Sequence, residues 1–307
     1  TSGQWILEGD IRGCFDNFAH QWMLDNIPLD QRILNQFLKA GFIYDGILYR
    51  NKSGTPQGGI ISPLLANMAL DGMERLLKEH FPGKKVHLIR FADDFLVTAD
   101  SQETALQCKE LIAEFLHERG LELSEEKTKV VHINEGFDFL GWNFRKYKGK
   151  LLIQPSKKAI AAIIDKVRGI IKSAKTWKQE DLIKTLNPVI KGWAMYHRTV
   201  SASVTFGKLD WIVRNMLKRW AKRRHNNKGK KWIANKYWHQ TFSRKQVFKT
   251  STLTLENFSD TKIQYRKFIK LDANPFIDTE YFENRPGVFL SKQRSIRMFL
   301  HYAHKSG

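Results

Sequence analysis

The chain has 307 residues, 42% of them hydrophobic and 12% aromatic, which is enough for two or three domains and excludes a disordered tail. Its 51 Lys and Arg residues exceed its 31 Asp and Glu residues by a net charge of +20, which favours a polyanionic partner, either nucleic acid or an anionic membrane surface. No apolar run approaches the roughly 20 residues that span a bilayer, and two cysteines exclude a disulfide scaffold or a zinc site built from cysteine pairs.

The first half of the chain alternates strands with helices. A strand over residues 4–9 leads into Asp10, and a helix is predicted to begin at Ser62 and run to residue 80. The elements predicted after it are strands at 86–91 and 95–98 joined by a turn, a helix from Ser101 to about 119, and strand-like segments at 128–133, 137–144 and 151–153. Without a strict repeat, this order indicates an α+β fold with an antiparallel sheet.

The second half is helical and basic. Amphipathic helices are predicted around residues 160–171, 182–197 and 209–224, and residues 225–307 are too weakly periodic for any assignment. Residues 1–150 contain 18 Lys and Arg against 21 Asp and Glu, whereas residues 151–307 contain 33 against 10. This uneven distribution favours a catalytic module joined to a nucleic-acid-binding part over a uniformly basic protein.

The sharpest chemical signal is the pair Asp93-Asp94 at a hairpin tip. Adjacent carboxylates repel each other, and a divalent cation would relieve the repulsion. A third carboxylate, Asp10, ends another apolar strand, so the three carboxylates suggest a two-metal phosphoryl-transfer centre. The bland alternative for the pair alone is an ordinary acidic turn. A glycine-containing turn at 55–59 precedes the helix at Ser62 and suits contact with a nucleotide or a template, although a simple loop and helix start would look the same.

The sequence resembles reverse transcriptases encoded by group II introns over nearly all of residues 4–290. The strings that resemble the family's palm motifs, in order, are WILEGDIRGCFD (5–16), TPQGGIISPLLAN (55–67), RFADDF (90–95), LELSEEKTKVVHI (121–133) and FDFLGWNF (137–144). Two later strings resemble the family's maturase region, LNPVIKGWAMYHR (186–198) and RRHNNKGKKWIANKYW (223–238).

The resemblance implies roles for single residues. Asp10, Asp93 and Asp94 match the family's catalytic triad of metal ligands for two Mg²⁺ ions, and Ile11 matches the position whose main-chain carbonyl is a further ligand. Phe15 matches the aromatic residue that lies against the 2′ position of the sugar, and Gln57 and Gly58 match the pair that lines the nucleotide and the template. Lys127 matches the lysine that donates a proton to pyrophosphate, with Lys129 as the alternative. Residues 139–141 resemble the hairpin that grips the primer. Phe15 as a plain core aromatic stays open at this point.

The resemblance also implies a domain plan and partners. We expect a right-hand polymerase palm with residual fingers over 1–148, an α-helical thumb and maturase domain over 149–224, and a basic C-terminal DNA-binding region over 225–307. The residues expected to bind nucleic acid are Lys218, Arg219, Lys222, Arg223, Arg224, Lys230 and Lys231. The implied partners are intron RNA in a ribonucleoprotein, an RNA template with its DNA primer, target DNA and dNTPs, in the bacterial cytoplasm or an organelle and without a membrane.

Three further expectations follow. The family's fingers precede the first motif, so we expect them upstream of Thr1 or absent from a trimmed chain. No cysteine follows Cys108, so we expect no cysteine-rich endonuclease of the kind that ends many relatives. Trp193, Trp220 and Trp232 are expected in the core rather than stacked on bases, whereas Trp211 is left open between the two. The rival function is a non-catalytic RNA-binding splicing factor that keeps the palm as a scaffold.

Overall fold

The computed structural model describes residues 3–45, 47–49, 53–55, 59–241, 246–265 and 278–283. Gln57 and Gly58, two of the expected nucleotide-binding residues, lie outside these ranges. The chain divides into two compact units, Thr1–Leu152 and Ile153–Gly307.

The first unit mixes helices with antiparallel strands. Its helices are α1 Cys14–Asn17, α2 His20–Asn26, α3 Gln31–Lys39, α4 Ser62–Ala69, α5 Met73–His80 and α6 Gln102–His117. The strands that begin in it are β1 Trp5–Gly9, β2 Phe42–Tyr44, β3 Ile47–Tyr49, β4 His87–Phe91, β5 Asp94–Ala99, β6 Lys129–His132, β7 Phe137–Phe139, β8 Trp142–Tyr147 and β9 Lys150–Pro155. The predicted α+β class is confirmed.

A four-stranded sheet in the order β4-β5-β1-β6 forms the centre of this unit, and its neighbouring strands are antiparallel. Side chains alternate between its two faces. Leu7 and Val97 pack into a buried core shared with the helices. Ile6 and Leu96 lie on the other face and pack against Phe137 of the β7–β8 hairpin. The central strand β1 is therefore covered on both sides, which fixes the position of the chain where it leaves the sheet at Asp10.

Turns shorten several predicted elements. Asp94 pairs with Phe91 inside the ladder, so the turn before β5 is Ala92-Asp93 alone, with Ala92 at φ 56 as a two-residue hairpin requires. The predicted helix over 62–80 is interrupted, because α4 ends at Ala69 with Leu70 as its C-cap and Gly72, at φ 92, is the N-cap of a separate helix α5. The predicted strand over 137–144 is a hairpin instead, because Leu140 and Gly141 both adopt positive φ.

Helices α1 to α3 and the β2–β3 hairpin were not predicted. The sequence does contain a signal for α3, because the Asp30 carboxylate caps its first turn by accepting hydrogen bonds from the backbone N–H groups of Arg32 and Ile33. Leu34 and Leu38, four residues apart, are its fully buried side chains. A capping carboxylate followed by this spacing is a helix pattern that the sequence analysis missed.

The second unit is mainly helical, as predicted. Its described elements are α7 Lys157–Ser173, α8 Gln179–His197, α9 Ser203–Arg224, α10 Lys230–Tyr237, β10 Trp238–His239, β11 Val247–Phe248, a 3₁₀ turn at Phe258–Asp260 and α11 Thr279–Glu283. Helix α9 packs against α7, and α8 packs against α7 as well. Among the described residues, no helix has the length and apolar character needed to cross a bilayer.

Aromatic side chains form much of the core of the second unit. Trp193 packs its ring against His197, Phe206 and Phe258, and Trp220 is buried while its indole N–H donates to the Ala174 carbonyl at 2.7 Å. The core prediction therefore holds for these two tryptophans. It is wrong for Trp232, which is 41% exposed because it lies on the outer side of the short helix α10.

The buried imidazole of His197 makes the second unit sensitive to acid. Burial lowers the pKa of His197 from 6.5 to about 4, so the unfolded chain binds a proton that the folded chain excludes between these two pH values. The contribution of His197 to the free energy of unfolding is therefore fully present above pH 6.5 and is lost progressively as the pH falls towards 4. Urea unfolding of the wild type should show a loss of about 3 kcal/mol in the free energy of unfolding over this range that His197→Gln lacks. Identical pH slopes in the two proteins would contradict this origin.

Candidate active site

The sheet register brings two of the predicted carboxylates opposite each other. Strands β1 and β5 are antiparallel, and their last paired positions are Gly9 and Phe95. One step further along the same register, Asp10 leaves β1 opposite Asp94, the first residue of β5. Asp93 occupies the adjoining turn. The ends of two neighbouring strands thus present Asp10, Asp93 and Asp94 at one edge of the sheet.

The segment that precedes Lys127 is hydrogen-bonded to the end of β1. Ser124 donates its N–H to the Asp10 carbonyl at 2.8 Å, and Arg12 donates to the Glu122 carbonyl at 2.9 Å. Both bonds belong to the bridge between Ile11 and Leu123, and the Ile11 carbonyl takes no part in them. The side chain of Ile11 is buried, so the main-chain oxygen is the part of this residue that a ligand could use.

This pairing brings the Lys127 ammonium into contact with the Asp10 carboxylate. Its Nζ donates to Oδ2 of Asp10 at 3.0 Å. The hydrogen bond and the charge of Asp10, followed by the charges of Asp94 and Asp93, raise the pKa of Lys127 above its usual value. Lys129 lies instead opposite Glu8 in the β1–β6 ladder. Of the two lysines that the sequence left open, Lys127 is therefore the one in contact with the predicted triad.

The carboxylates have the chemistry of a divalent-cation site but do not close around one in this conformation. Carboxylate oxygens are the ligands that Mg²⁺ prefers, and the strand ends bring three of them to one edge. Within the ranges that the structure describes, however, no three His, Cys, Asp or Glu side chains come close enough together to hold a metal ion. The ammonium of Lys127 balances Asp10 instead.

Arg90 supports the turn that carries Asp93, a role that the sequence did not predict. Its guanidinium donates to the Ala92 carbonyl at 3.0 Å and to the side-chain oxygen of Asn67 on α4 at 2.9 Å.

The Cys14 thiol is also close enough to feel the charge of Asp93. Burial and then this charge raise the pKa of the Cys14 thiol to about 12. Cys14 is therefore protonated and unreactive at neutral pH.

A second group of unpredicted contacts joins residues 53–55 to α1 and its C-terminal end. Gly54 donates its N–H to the Phe18 carbonyl at 2.9 Å, Thr55 donates to the Phe15 carbonyl at 2.6 Å, and the His20 imidazole donates to the Gly54 carbonyl at 2.7 Å. Gly54 has φ +70, and a Cβ there would collide with the Phe15 carbonyl. Only glycine allows this approach, so the segment leading to Gln57 is held directly against the backbone of Phe15.

Phe15 is half-buried and packs one part of its side chain against the core of the first unit. Both readings that the sequence left open, a residue lining the nucleotide site and a core aromatic, are compatible with this partial exposure. Glu8 of β1 is a titrating group that the sequence did not predict. Burial, and then the charge of Asp138 on the β7–β8 hairpin, raise the pKa of Glu8 to about 7.

The basic residues expected to bind nucleic acid differ in availability. Lys218, Arg219 and Arg223 are exposed on α9, and Lys230 and Lys231 are exposed at the start of α10. Two others are engaged within the protein. Lys222 donates to the carbonyls of Asn226 and Lys228, and Arg224 donates to the Lys175 carbonyl at 2.6 Å while its guanidinium lies 4.7 Å from the Trp220 ring centroid.

Comparison with known families matches both units. Residues 1–144 match the model of the reverse transcriptase (RNA-dependent DNA polymerase) family, and residues 160–238 match the model of the group II intron maturase-specific domain. The chain is similar to the group II intron-encoded protein LtrA of Lactococcus lactis, at 27% identity over 55% of this chain and 41% of that protein.

Two further similarities are more limited. Protein YkfC of Escherichia coli is 28% identical over 46% of this chain and 47% of its own length, so the chain spans less than half of either of these relatives. Among solved structures, telomerase from Candida albicans aligns with 78% of this chain and 48% of that chain at 13% identity and a TM-score of 0.44, a likeness too weak to add to the family matches.

Proposed function

The chain belongs to the family of group II intron-encoded reverse transcriptases and maturases, and from this premise we propose that it copies RNA into DNA and binds its parent intron RNA to assist splicing and mobility. The observation that carries the proposal is the meeting of Asp10, Asp93, Asp94 and Lys127 at one edge of the palm sheet. The proposed division assigns 1–148 to the palm, 149–224 to the thumb and maturase domain, and 225–307 to a DNA-binding region.

Reverse transcriptases of this family depend on a divalent metal ion. We propose that Asp10, Asp93 and Asp94, with the main-chain carbonyl of Ile11, hold two Mg²⁺ ions. When bound, these ions supply Lewis-acid activation of the primer hydroxyl and charge stabilisation of the leaving pyrophosphate. Arg90 keeps Asp93 in place for this role, because it fixes the turn to α4 through the Ala92 carbonyl and Asn67.

Lys127 is proposed to transfer a proton from its ammonium group to the leaving pyrophosphate. It is the one of the two candidate lysines that reaches the triad, and its side chain is 68% exposed, so it can turn from Asp10 towards an incoming triphosphate. The raised pKa keeps it protonated before the reaction. Solvent access allows the amine to regain a proton afterwards.

Phe15 is proposed to select the sugar, with Gln57 and Gly58 contacting the nucleotide and template. A hydroxyl at C2′ would meet the aromatic ring and lose its hydrogen bond to water, whereas a hydrogen would fit. The bond from Thr55 to the Phe15 carbonyl supports this arrangement, because it holds the segment that leads to Gln57 against Phe15.

Shrinking the ring tests this role. Phe15→Ala should lower the discrimination between a dNTP and its matching rNTP by at least about tenfold, or roughly 1.4 kcal/mol, because the clash disappears while Asp10 is untouched. The measurement is kcat/KM for both nucleotides on one template. If Phe15 serves only the core, truncation should cost about 3–5 kcal/mol of stability and depress both rates with an unchanged ratio.

The second candidate function is a splicing factor that binds RNA without polymerising. It is favoured by the open arrangement of the carboxylates, which do not close into a metal-holding group among the described residues. Primer extension on poly(rA)/oligo(dT) by the full-length protein with Mg²⁺ separates the two functions. Extension supports the polymerase, and intron RNA binding without extension supports the splicing factor.

A further inference from the structure

A groove of about 590 Å³ lies between α7 and α9 in the second unit. Apolar side chains from both helices form much of its lining. These are Ile164, Ile171, Ile212 and Met216. Such a lining favours a flat apolar group over a hydrated ion.

Positive charge surrounds this apolar lining. Lys172, Arg219 and Arg223 line the groove, and none of the three makes an ion pair or a hydrogen bond to another described residue. Arg168 also lines it, but its charge is balanced by an ion pair with Asp165 on the same helix. Three uncompensated cations beside an apolar trough fit a partner that has both anionic and flat apolar parts.

Trp211 supplies an aromatic face at this groove. It is 68% exposed, and its ring contacts no other aromatic ring or cation in the described part of the chain. Trp232 is the other exposed tryptophan, but its ring already has charged and aromatic neighbours. The ammonium groups of Lys228 and Lys236 lie 5.5 and 5.0 Å from its centroid, and the His225 ring lies 4.9 Å away.

We propose that the α7–α9 groove binds an unpaired RNA segment, with one base stacked on Trp211 and the flanking phosphates on Lys172, Arg219 and Arg223. A duplex keeps its base faces stacked inside, so a bare indole in a basic groove selects single-stranded RNA. This inference rests on the proposed RNA-binding function and adds which form of RNA this surface recognises.

Fluorescence anisotropy with the full-length protein tests the groove, using a short adenosine-rich unpaired RNA and an RNA duplex of the same length. Trp211→Ala should weaken binding of the unpaired RNA by about tenfold, because one base loses its stacking partner. Duplex binding should stay within about twofold, because phosphate contacts are unchanged. Trp211→Phe should keep most of the affinity, and unchanged thermal melting would show that the variants fold.

Trp232→Ala is the matched control, since it removes an exposed tryptophan of the same unit whose ring already has two ammonium groups and a His ring beside it. Any of three results would overturn the proposal. These are equal losses of affinity in the two alanine variants, equal losses of affinity for both RNAs, or no loss of affinity in Trp211→Ala. Binding of intron RNA by the wild type separates this failure from that of the proposed function. If the wild type binds intron RNA but Trp211→Ala loses no affinity for the unpaired RNA, the groove is wrong and the RNA-binding function stands; if the wild type binds neither RNA, both fail.

Discussion

Asp93→Asn is expected to abolish nucleotide addition while leaving RNA affinity nearly intact. Asparagine keeps the size of the side chain but removes its negative charge from the sheet edge where Asp10 and Asp94 also lie. Losing one of the three proposed metal ligands should remove several kcal/mol of transition-state stabilisation, which corresponds to a loss of about 10³-fold or more in rate. Arg90 holds the turn through a backbone carbonyl, so the turn itself should survive the change.

Single-turnover primer extension measures this loss, and intron RNA binding measured in parallel serves as the internal control. Asp138→Asn is a comparison variant, because it also neutralises a carboxylate of the first unit, on β7, that is not one of the proposed metal ligands. Extension at the wild-type rate by Asp93→Asn would refute the assignment of the metal ligands. Equal loss of activity in Asp138→Asn would show instead that the activity responds to the overall charge of the unit.

Changing Lys218, Arg219 and Arg223 together to alanine is expected to weaken RNA binding by about 10²-fold at physiological salt. These three cations are exposed and make no ion pair or hydrogen bond to other described residues, so their charge is available to phosphates. Each lost phosphate contact should reduce the steepness of log affinity against log salt by roughly one, giving a total change of about two to three.

A comparison variant changes Lys230 and Lys231 to alanine, because these exposed lysines lie on another helix of the same unit and are also expected to bind nucleic acid. Lys222 and Arg224 are left in place because they bind backbone carbonyls and their loss would disturb α9 itself. An unchanged salt slope in the triple variant, with a reduced slope in the lysine pair, would move the RNA contacts from α9 to α10.

Local pattern in the sequence predicted much of the secondary structure. Three features depend on interactions within about four residues and can therefore be predicted from the sequence. They are the apolar strand before Asp10, the Ser101 cap of α6 and the helical repeat of α7. Their order and the mixed pattern also gave the α+β class, and the motif strings identified the family that the comparisons confirm. Short elements such as α1 and the β2–β3 hairpin contain too few residues to show a period.

The partners of the site residues were decided by tertiary structure. Lys127 contacts a carboxylate 117 residues away, and His20 contacts a carbonyl 34 residues away, so neither pairing follows from local spacing. The same holds for surface charge. Lys218 and Lys222 look equivalent on one helix, yet Lys222 binds the carbonyls that follow α9 whereas Lys218 remains available. The sequence by itself determined which residue types are present and which local elements form. Packing between distant elements decided which charge meets which partner, because interactions over a few ångströms depend on distance in space rather than along the chain.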